Sequence, residues 1–87
     1  MAWTLEVSDG ARRQLHKLDR KQADRITGVM IAIAELEDPR SRGIAMTGRY
    51  SGYWRFRVGD YRVICKLEDG SLTIYVLAIG HRREVYR

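Results

Sequence analysis

The sequence predicts an α+β domain: a mostly antiparallel sheet with an N-terminal helical hairpin packed on one face, in the order β-α-α-β-β-β. Three observations point to it. Between Ser8 and Glu37 the apolar residues recur at helical spacing, and from Tyr53 onward the period changes to two. Two turn signals, Gly59-Asp60 and Asp69-Gly70, divide that second half into three strands. Finally, 87 residues with 45% hydrophobic and 31% charged side chains suit one small globular domain over 1–87, with a core of modest size.

Trp3, Leu5 and Val7 alternate with Thr4 and Glu6, which reads as a short opening strand. Ser8 and Asp9 are N-cap residues for a helix with Ala11, Leu15 and Leu18 on one side. Asp19 is a second N-cap, with Gln22 at capping-box spacing. The helix it opens carries Ala23, Ile26, Val29, Met30 and Ile33 on one stripe, is expected to run to about Glu37, and is stopped by Pro39. Asp38 to Gly52, with Pro39, Gly43, Gly48 and Gly52, reads as one long connection, and connections of that length are often functional. Three strands follow: Tyr53 to Val58, Tyr61 to Leu67 and Leu72 to Ile79.

With Gly59-Asp60 as the loop, Val58 faces Tyr61, Arg57 faces Arg62, Phe56 faces Val63 and Trp54 faces Cys65. One sheet face then holds Trp54, Phe56, Val58, Tyr61, Val63, Cys65 and Leu67, and should receive the helices. Pairing Leu67 with Leu72 adds Ile74, Val76 and Ala78 to it. The other face carries Tyr53, Arg55, Arg57, Arg62, Lys66, Thr73 and Tyr75, with Ile64, Leu77 and Ile79 among them. Arg57 directly opposite Arg62 works against the ladder by a few tenths of a kcal/mol, on the order of the 0.2–1 kcal/mol that favourable pairs contribute. A sheet has no folding reason for that pairing. A polyanion supplies one, and so do the acidic side chains of a protein partner.

The totals narrow the function classes. A net charge of +5 suggests a polyanionic partner, most often nucleic acid. No apolar run approaches the roughly 20 residues of a membrane span, and the start has no basic stretch followed by an apolar one, so neither membrane nor secretory signal is expected. Cys65 is the one cysteine and has no partner for an internal disulfide, which suits a reducing cytoplasm. His16, Cys65 and His81 lack metal-ligand spacing, so no metal is expected, nor a cofactor or small-molecule ligand.

The chain ends in His81-Arg82-Arg83-Glu84-Val85-Tyr86-Arg87, directly after an apolar strand. An imidazole, guanidinium groups and a phenol within six positions can hold a phosphate and move a proton. The end of the last strand should lie near Tyr61 and Arg62, so that His81, Arg82 and Tyr86 reach the arginine face. Metal-free RNA cleavage needs an aligned 2′-hydroxyl, a base to take its proton, cations for the dianionic phosphorane and an acid for the leaving 5′-oxygen. Arginine suits the third task through its planar fork, and its high pKa makes it a poor acid. Histidine and tyrosine are the proton carriers, and neighbouring arginines favour a phenolate while disfavouring an imidazolium. Tyr53 and Tyr75 can stack on bases. Each residue also has a structural reading: Tyr86 packing its ring on the sheet, His81 hydrogen-bonding the chain as it turns, Arg83 and Arg87 solvated. His16 reads as surface and Cys65 as a buried apolar residue.

At these residues the chain resembles the RelE/ParE toxin superfamily of bacterial toxin–antitoxin modules. The resemblance spans nearly the whole length. It includes the opening strand, the helical hairpin, the loop Met46-Thr47-Gly48, and the block Tyr53-Trp54-Arg55-Phe56-Arg57-Val58-Gly59-Asp60-Tyr61-Arg62-Val63, and it is strongest from Ile79 to Tyr86. It implies a metal-independent endoribonuclease that enters the ribosomal A site and cuts mRNA there, and a cognate antitoxin that blocks the basic face. By position, Arg55 and Arg57, with Lys66 and Tyr53 beside them, match the RNA-binding strand residues. Arg62 and Arg82 match phosphate-binding arginines, and Tyr86 matches the tyrosine that activates the 2′-hydroxyl. Tyr53 stands where a lysine is common, and His81 where another basic residue often sits, so the acid is His81 or Arg82. The alternative within the superfamily is a gyrase poison of the same fold that cleaves no RNA.

Overall fold

The computed structural model describes residues 2–81. Strand β1 (Thr4–Val7) leads into helices α1 (Asp9–Lys17) and α2 (Arg20–Ala34). Strands β2 (Ile44–Ala45), β3 (Trp54–Val58), β4 (Tyr61–Glu68) and β5 (Thr73–His81) follow. They form one five-stranded sheet in the order β1-β5-β4-β3-β2, antiparallel except for the β1–β5 pair. The helices lie on one face of it.

Both expected N-caps form. The Ser8 Oγ accepts from the Ala11 amide at 3.1 Å, and an Asp19 carboxylate oxygen accepts from the Gln22 amide at 2.8 Å. Helix α2 ends at Ala34, before the expected Glu37. The reason is the N-terminal strand: the Trp3 amide donates to the Ala34 carbonyl at 3.0 Å, and its indole N–H to the Glu37 carbonyl at 3.2 Å. These last carbonyls are satisfied from outside the helix, so another helical turn is not required. Ala11, Ile26, Met30 and Ile33 meet Phe56, Val63, Cys65, Ile74 and Val76 in the core.

The stretch from Asp38 to Gly52 is not one open connection. Asp38 caps a 3₁₀ turn over Pro39–Arg42, β2 pairs with β3 through Ile44–Arg55 and Ala45–Trp54, and a second 3₁₀ turn covers Gly48–Tyr50. A two-residue strand is too short to produce a periodic signal. Arg40 fastens this stretch. Its guanidinium lies over the Trp3 ring at 5.8 Å and the Trp54 ring at 5.7 Å, and it pairs with Asp69 at 2.7 Å and Asp38 at 3.4 Å. Trp54 is therefore half-buried and covered by a cation, at the border of the core.

The β3–β4 pairing matches expectation residue for residue, from Trp54–Cys65 to Val58–Tyr61. Gly59 takes a positive φ of 59° and Asp60 does not, as a two-residue II′ turn requires. The β4–β5 connection differs. Glu68 pairs with Thr73, leaving Asp69 to Leu72 as the loop. Leu72 has φ 48° and is 47% exposed, so it holds a left-handed conformation with little burial in return. Leu72→Gly is expected to stabilise the protein by about 0.5–1 kcal/mol, the strain relief exceeding the added freedom of the unfolded chain. A urea unfolding midpoint that stays put or falls would contradict this.

Further along β5 the register shifts. Cys65 pairs with Val76 but Ile64 pairs with Ala78, so Leu77 has no partner. This one-residue bulge exchanges the faces of everything after it. Ile79, expected on the open face, is 3% exposed in the core, while Ala78, expected in the core, turns to the open face. The last strand also runs to His81, past its expected end at Ile79. Helix α1 satisfies the displaced backbone: the Ser8 Oγ donates to the Leu77 carbonyl at 3.2 Å, and the Gln14 side-chain oxygen accepts from the Ile79 amide at 2.7 Å. Gln14→Leu removes that acceptor. A loss of about 1–2 kcal/mol is expected, with faster hydrogen exchange at the Ile79 amide; unaltered exchange would show that the bond contributes nothing.

Candidate functional site: a basic sheet face

The face turned away from the helices carries Arg55, Arg57, Arg62 and Lys66. Strand alternation puts them there, because Phe56, Val58, Val63 and Cys65 between them are drawn into the core. Arg57 and Arg62 are directly opposite each other in the ladder. Among the described residues each guanidinium reaches nearby backbone: Arg57 Nε donates to the Gly59 carbonyl at 3.4 Å and Arg62 to the Tyr61 carbonyl at 3.5 Å. Among the described residues neither pairs with a carboxylate. Lys66 pairs with Glu68 at 3.3 Å, with both side chains about half exposed, so water and salt weaken the bond and the ammonium remains available. Tyr75 is opposite Lys66 and beside Glu6 of β1, on the same face. Arg55 lines a shallow cleft with Ile44, Met46, Thr47 and Tyr50, so the loop that follows β2 borders the basic strand. Tyr53 precedes β3, its carbonyl accepting from the Met46 amide at 3.0 Å.

His81 is elsewhere. It pairs with Tyr61, close to Arg62 as expected, but the Leu77 bulge turns its side chain to the helix side of the sheet. There the imidazole meets the Tyr61 ring edge-on, with centroids 5.9 Å apart, and lines a cleft with Gln14, Lys17 and Leu18. His81 therefore does not join the arginine face. Arg82, Arg83, Tyr86 and Arg87 lie outside the described residues. Cys65 is fully buried and burial pushes its thiol far above the ordinary range, which removes it as a nucleophile. His16 is exposed, and among the described residues no helix is long and apolar enough to cross a membrane. Sequence reasoning missed Arg40, the bulge and the support from Gln14, an exposed residue of α1 whose role depends on the distant Ile79 amide.

A small mixed sheet with a helical hairpin on one face is the fold of RelE-type toxins of toxin–antitoxin systems. Residues 5–86 match the family model described as the ParE toxin of the type II toxin–antitoxin system parDE. Toxin RelG of Mycobacterium tuberculosis is 30% identical over 88 aligned residues, covering 100% of this chain and 99% of that toxin. The chain belongs to this RelE/ParE family of toxins. Among solved structures, the toxin–antitoxin complex RelBE2 from Mycobacterium tuberculosis superposes with a TM-score of 0.86 at 26% identity, covering 94% of this chain and 100% of that one. The archaeal RelE–RelB complex from Pyrococcus horikoshii OT3 gives 0.78 at 22% identity, covering 98% and 100%, a likeness of fold.

Proposed function

We propose that this toxin is a ribosome-dependent endoribonuclease that cuts mRNA in the A site, and that a cognate antitoxin covers its basic face. The observation that carries the reading is the Arg57–Arg62 pair: two guanidiniums set across one ladder, with no carboxylate between them among the described residues. Arg55, Arg57, Lys66 and Tyr53 hold the RNA. Arg62 and Arg82 bind the scissile phosphate. Tyr86 takes the proton of the 2′-hydroxyl, the 2′-oxygen attacks phosphorus, and the bond to the 5′-oxygen breaks as that oxygen takes a proton from Arg82, the remaining candidate acid. His81 meets Tyr61 edge-on at the helix side of the sheet, away from the arginine face, which disfavours it as the proton donor. The ribosome supplies substrate alignment that a shallow open face does not. The antitoxin enters by analogy with the RelE–RelB complexes that share the fold.

The test is a translation extract with a defined mRNA paused on the ribosome. Cleavage at the A-site codon that disappears in Tyr86→Ala supports the reading. One observation favours a second reading, a gyrase poison without nuclease activity: the matching family model is described by the ParE toxin. Gyrase-dependent DNA breaks with intact mRNA would select it.

A further inference from the structure

We infer that the cleft walled by Ile44, Met46, Thr47 and Tyr50 beside Arg55 is a nucleobase slot, which takes by stacking the base of a nucleotide next to the scissile phosphate. The inference rests on the proposed cleavage of mRNA and adds a subsite to it.

Ile44 is 55% exposed on the edge strand β2, and one exposed apolar side chain is ordinary by itself. Its neighbours make it part of a site. Ile44 is opposite Arg55 in the ladder, and Met46, Thr47 and Tyr50 close round the same opening, a cleft of about 410 Å³. Pockets for small organic ligands run from about 300 to 1,000 Å³, so this one has room for a single planar base. An aliphatic chain, a thioether and a phenol ring give an unstacked base the apolar contact it lost on leaving its neighbours. Aromatic side chains hold single-stranded bases in this way whatever their identity. The wall is set in advance. The Met46 amide donates to the Tyr53 carbonyl at 3.0 Å and closes the loop. Inside it, the Tyr50 amide donates to the Thr47 carbonyl at 3.3 Å, and the Tyr53 amide to the Tyr50 carbonyl at 3.1 Å. A base that enters therefore orders little backbone, and less of the contact is offset by lost loop entropy. Thr47 stands at the N-cap of the turn Gly48–Tyr50, yet its hydroxyl makes no cap bond. That hydroxyl lines the cleft instead, where it can donate to or accept from the edge of a base.

Charge and position select this cleft over two others of similar size. The one between β1 and β5 has both Glu6 and Arg12 in its wall, so it offers a phosphate chain no net attraction. The one beside His81 lies on the helix side with Gln14, Lys17 and Leu18. At the Ile44–Tyr50 cleft the neighbours are the cations of the open face. Arg55 and Arg57 are two residues apart on β3, with Phe56 between them in the core. Their separation is roughly 7 Å by the rise of a strand, a distance that one nucleotide of an extended chain spans. A phosphate held between Arg57 and Arg62 therefore brings the adjoining base to this opening, with Arg55 on the backbone at its rim.

The test is a cycle between protein and RNA. The full-length chain and its Tyr50→Leu variant are assayed for kcat/KM on ribosomes paused with an intact A-site codon, or with one of its bases replaced by an abasic ribose, each position in turn. Stacking on an aromatic side chain is equivalent to about 5- to 100-fold per base. Tyr50→Leu is expected to lose a factor of that size on the intact codon. At one codon position, removal of the base should abolish the difference between the two proteins; at the other two the difference should persist. Tyr50→Phe keeps the ring and should cut like the wild type. Ile44→Ser, at a site exposed enough to leave the fold intact, should show a smaller loss that couples to the same position. A Tyr50→Leu loss that persists whichever base is absent would mark a merely structural role and overturn the inference, as would no loss. Unchanged cleavage with weakened antitoxin binding would also overturn it, giving the cleft to an antitoxin side chain. If the wild-type chain does not cut on ribosomes, the proposed function falls and this inference with it, an outcome read before any variant is compared.

Discussion

Arg62→Ala is expected to lower A-site mRNA cleavage by about 100-fold or more while leaving the fold as stable as before or slightly more so. Removing one preorganised group that meets developing charge costs about 10²–10³ in rate. The same side chain contributes little to folding. Its guanidinium donates to the neighbouring Tyr61 carbonyl at 3.5 Å, and it faces Arg57 across the ladder. Removing it relieves a repulsion on the order of a few tenths of a kcal/mol. Cleavage and stability should therefore move in opposite directions. Tyr86→Phe tests the proton transfer separately, with about 10²–10⁴ at stake if the phenol is the base. Rates measured at saturating ribosomes, together with urea midpoints, check both. Retained cleavage in either variant would remove that residue from its proposed role, and retained toxicity with gyrase-dependent breaks in both would favour the gyrase reading.

Gly43→Ala should cost about 2–3 kcal/mol, the upper part of the range for overpacking. A Cβ on Gly43 would lie 2.8 Å from Cε1 and 3.0 Å from Cζ of Phe56. That ring is wholly buried at the centre of the core and cannot swing aside. The strain would fall where β2 begins, and β2 is the two-residue edge strand that borders Arg55. Phe56→Leu shortens the side chain facing the glycine, so the double variant should lose less than the two single losses added together. Denaturant unfolding of all four proteins gives the coupling. Strict additivity would mean that the backbone moves away and the contact is not what holds Gly43.

Much of this architecture follows from local pattern. Ser8 and Asp19 cap helices because their side chains accept from amides that the first turn leaves unpaired. Gly59 sets the β3–β4 register because a two-residue turn fixes which residues face each other, and the Arg57–Arg62 opposition follows from counting. That is why the arginine face was legible before any coordinates. The alternation also assigned Phe56, Val63 and Cys65 to the core, since each must leave water for the same side as its neighbour two residues on.

Other features depend on partners distant in the chain. Whether Ile79 or Ala78 enters the core is decided by the Leu77 bulge, where the Ser8 hydroxyl holds the Leu77 carbonyl and Gln14 of α1 holds the Ile79 amide, both over 60 residues earlier. Nothing within β5 marks that residue, because an alternating strand reads the same with or without a bulge near its end. The end of α2 depends on Trp3 for the same reason, and the seat of Arg40 depends on two indoles and Asp69. The consequence for function falls on His81. Sequence alone put the end of the last strand near Tyr61 and Arg62, and His81 does pair with Tyr61; the bulge decided that its imidazole faces the helices, since one extra residue reverses every side chain that follows it. Order, caps, turns and the basic strand pair are properties of near neighbours along the chain. The side of the sheet on which each later group does its work is a property of packing.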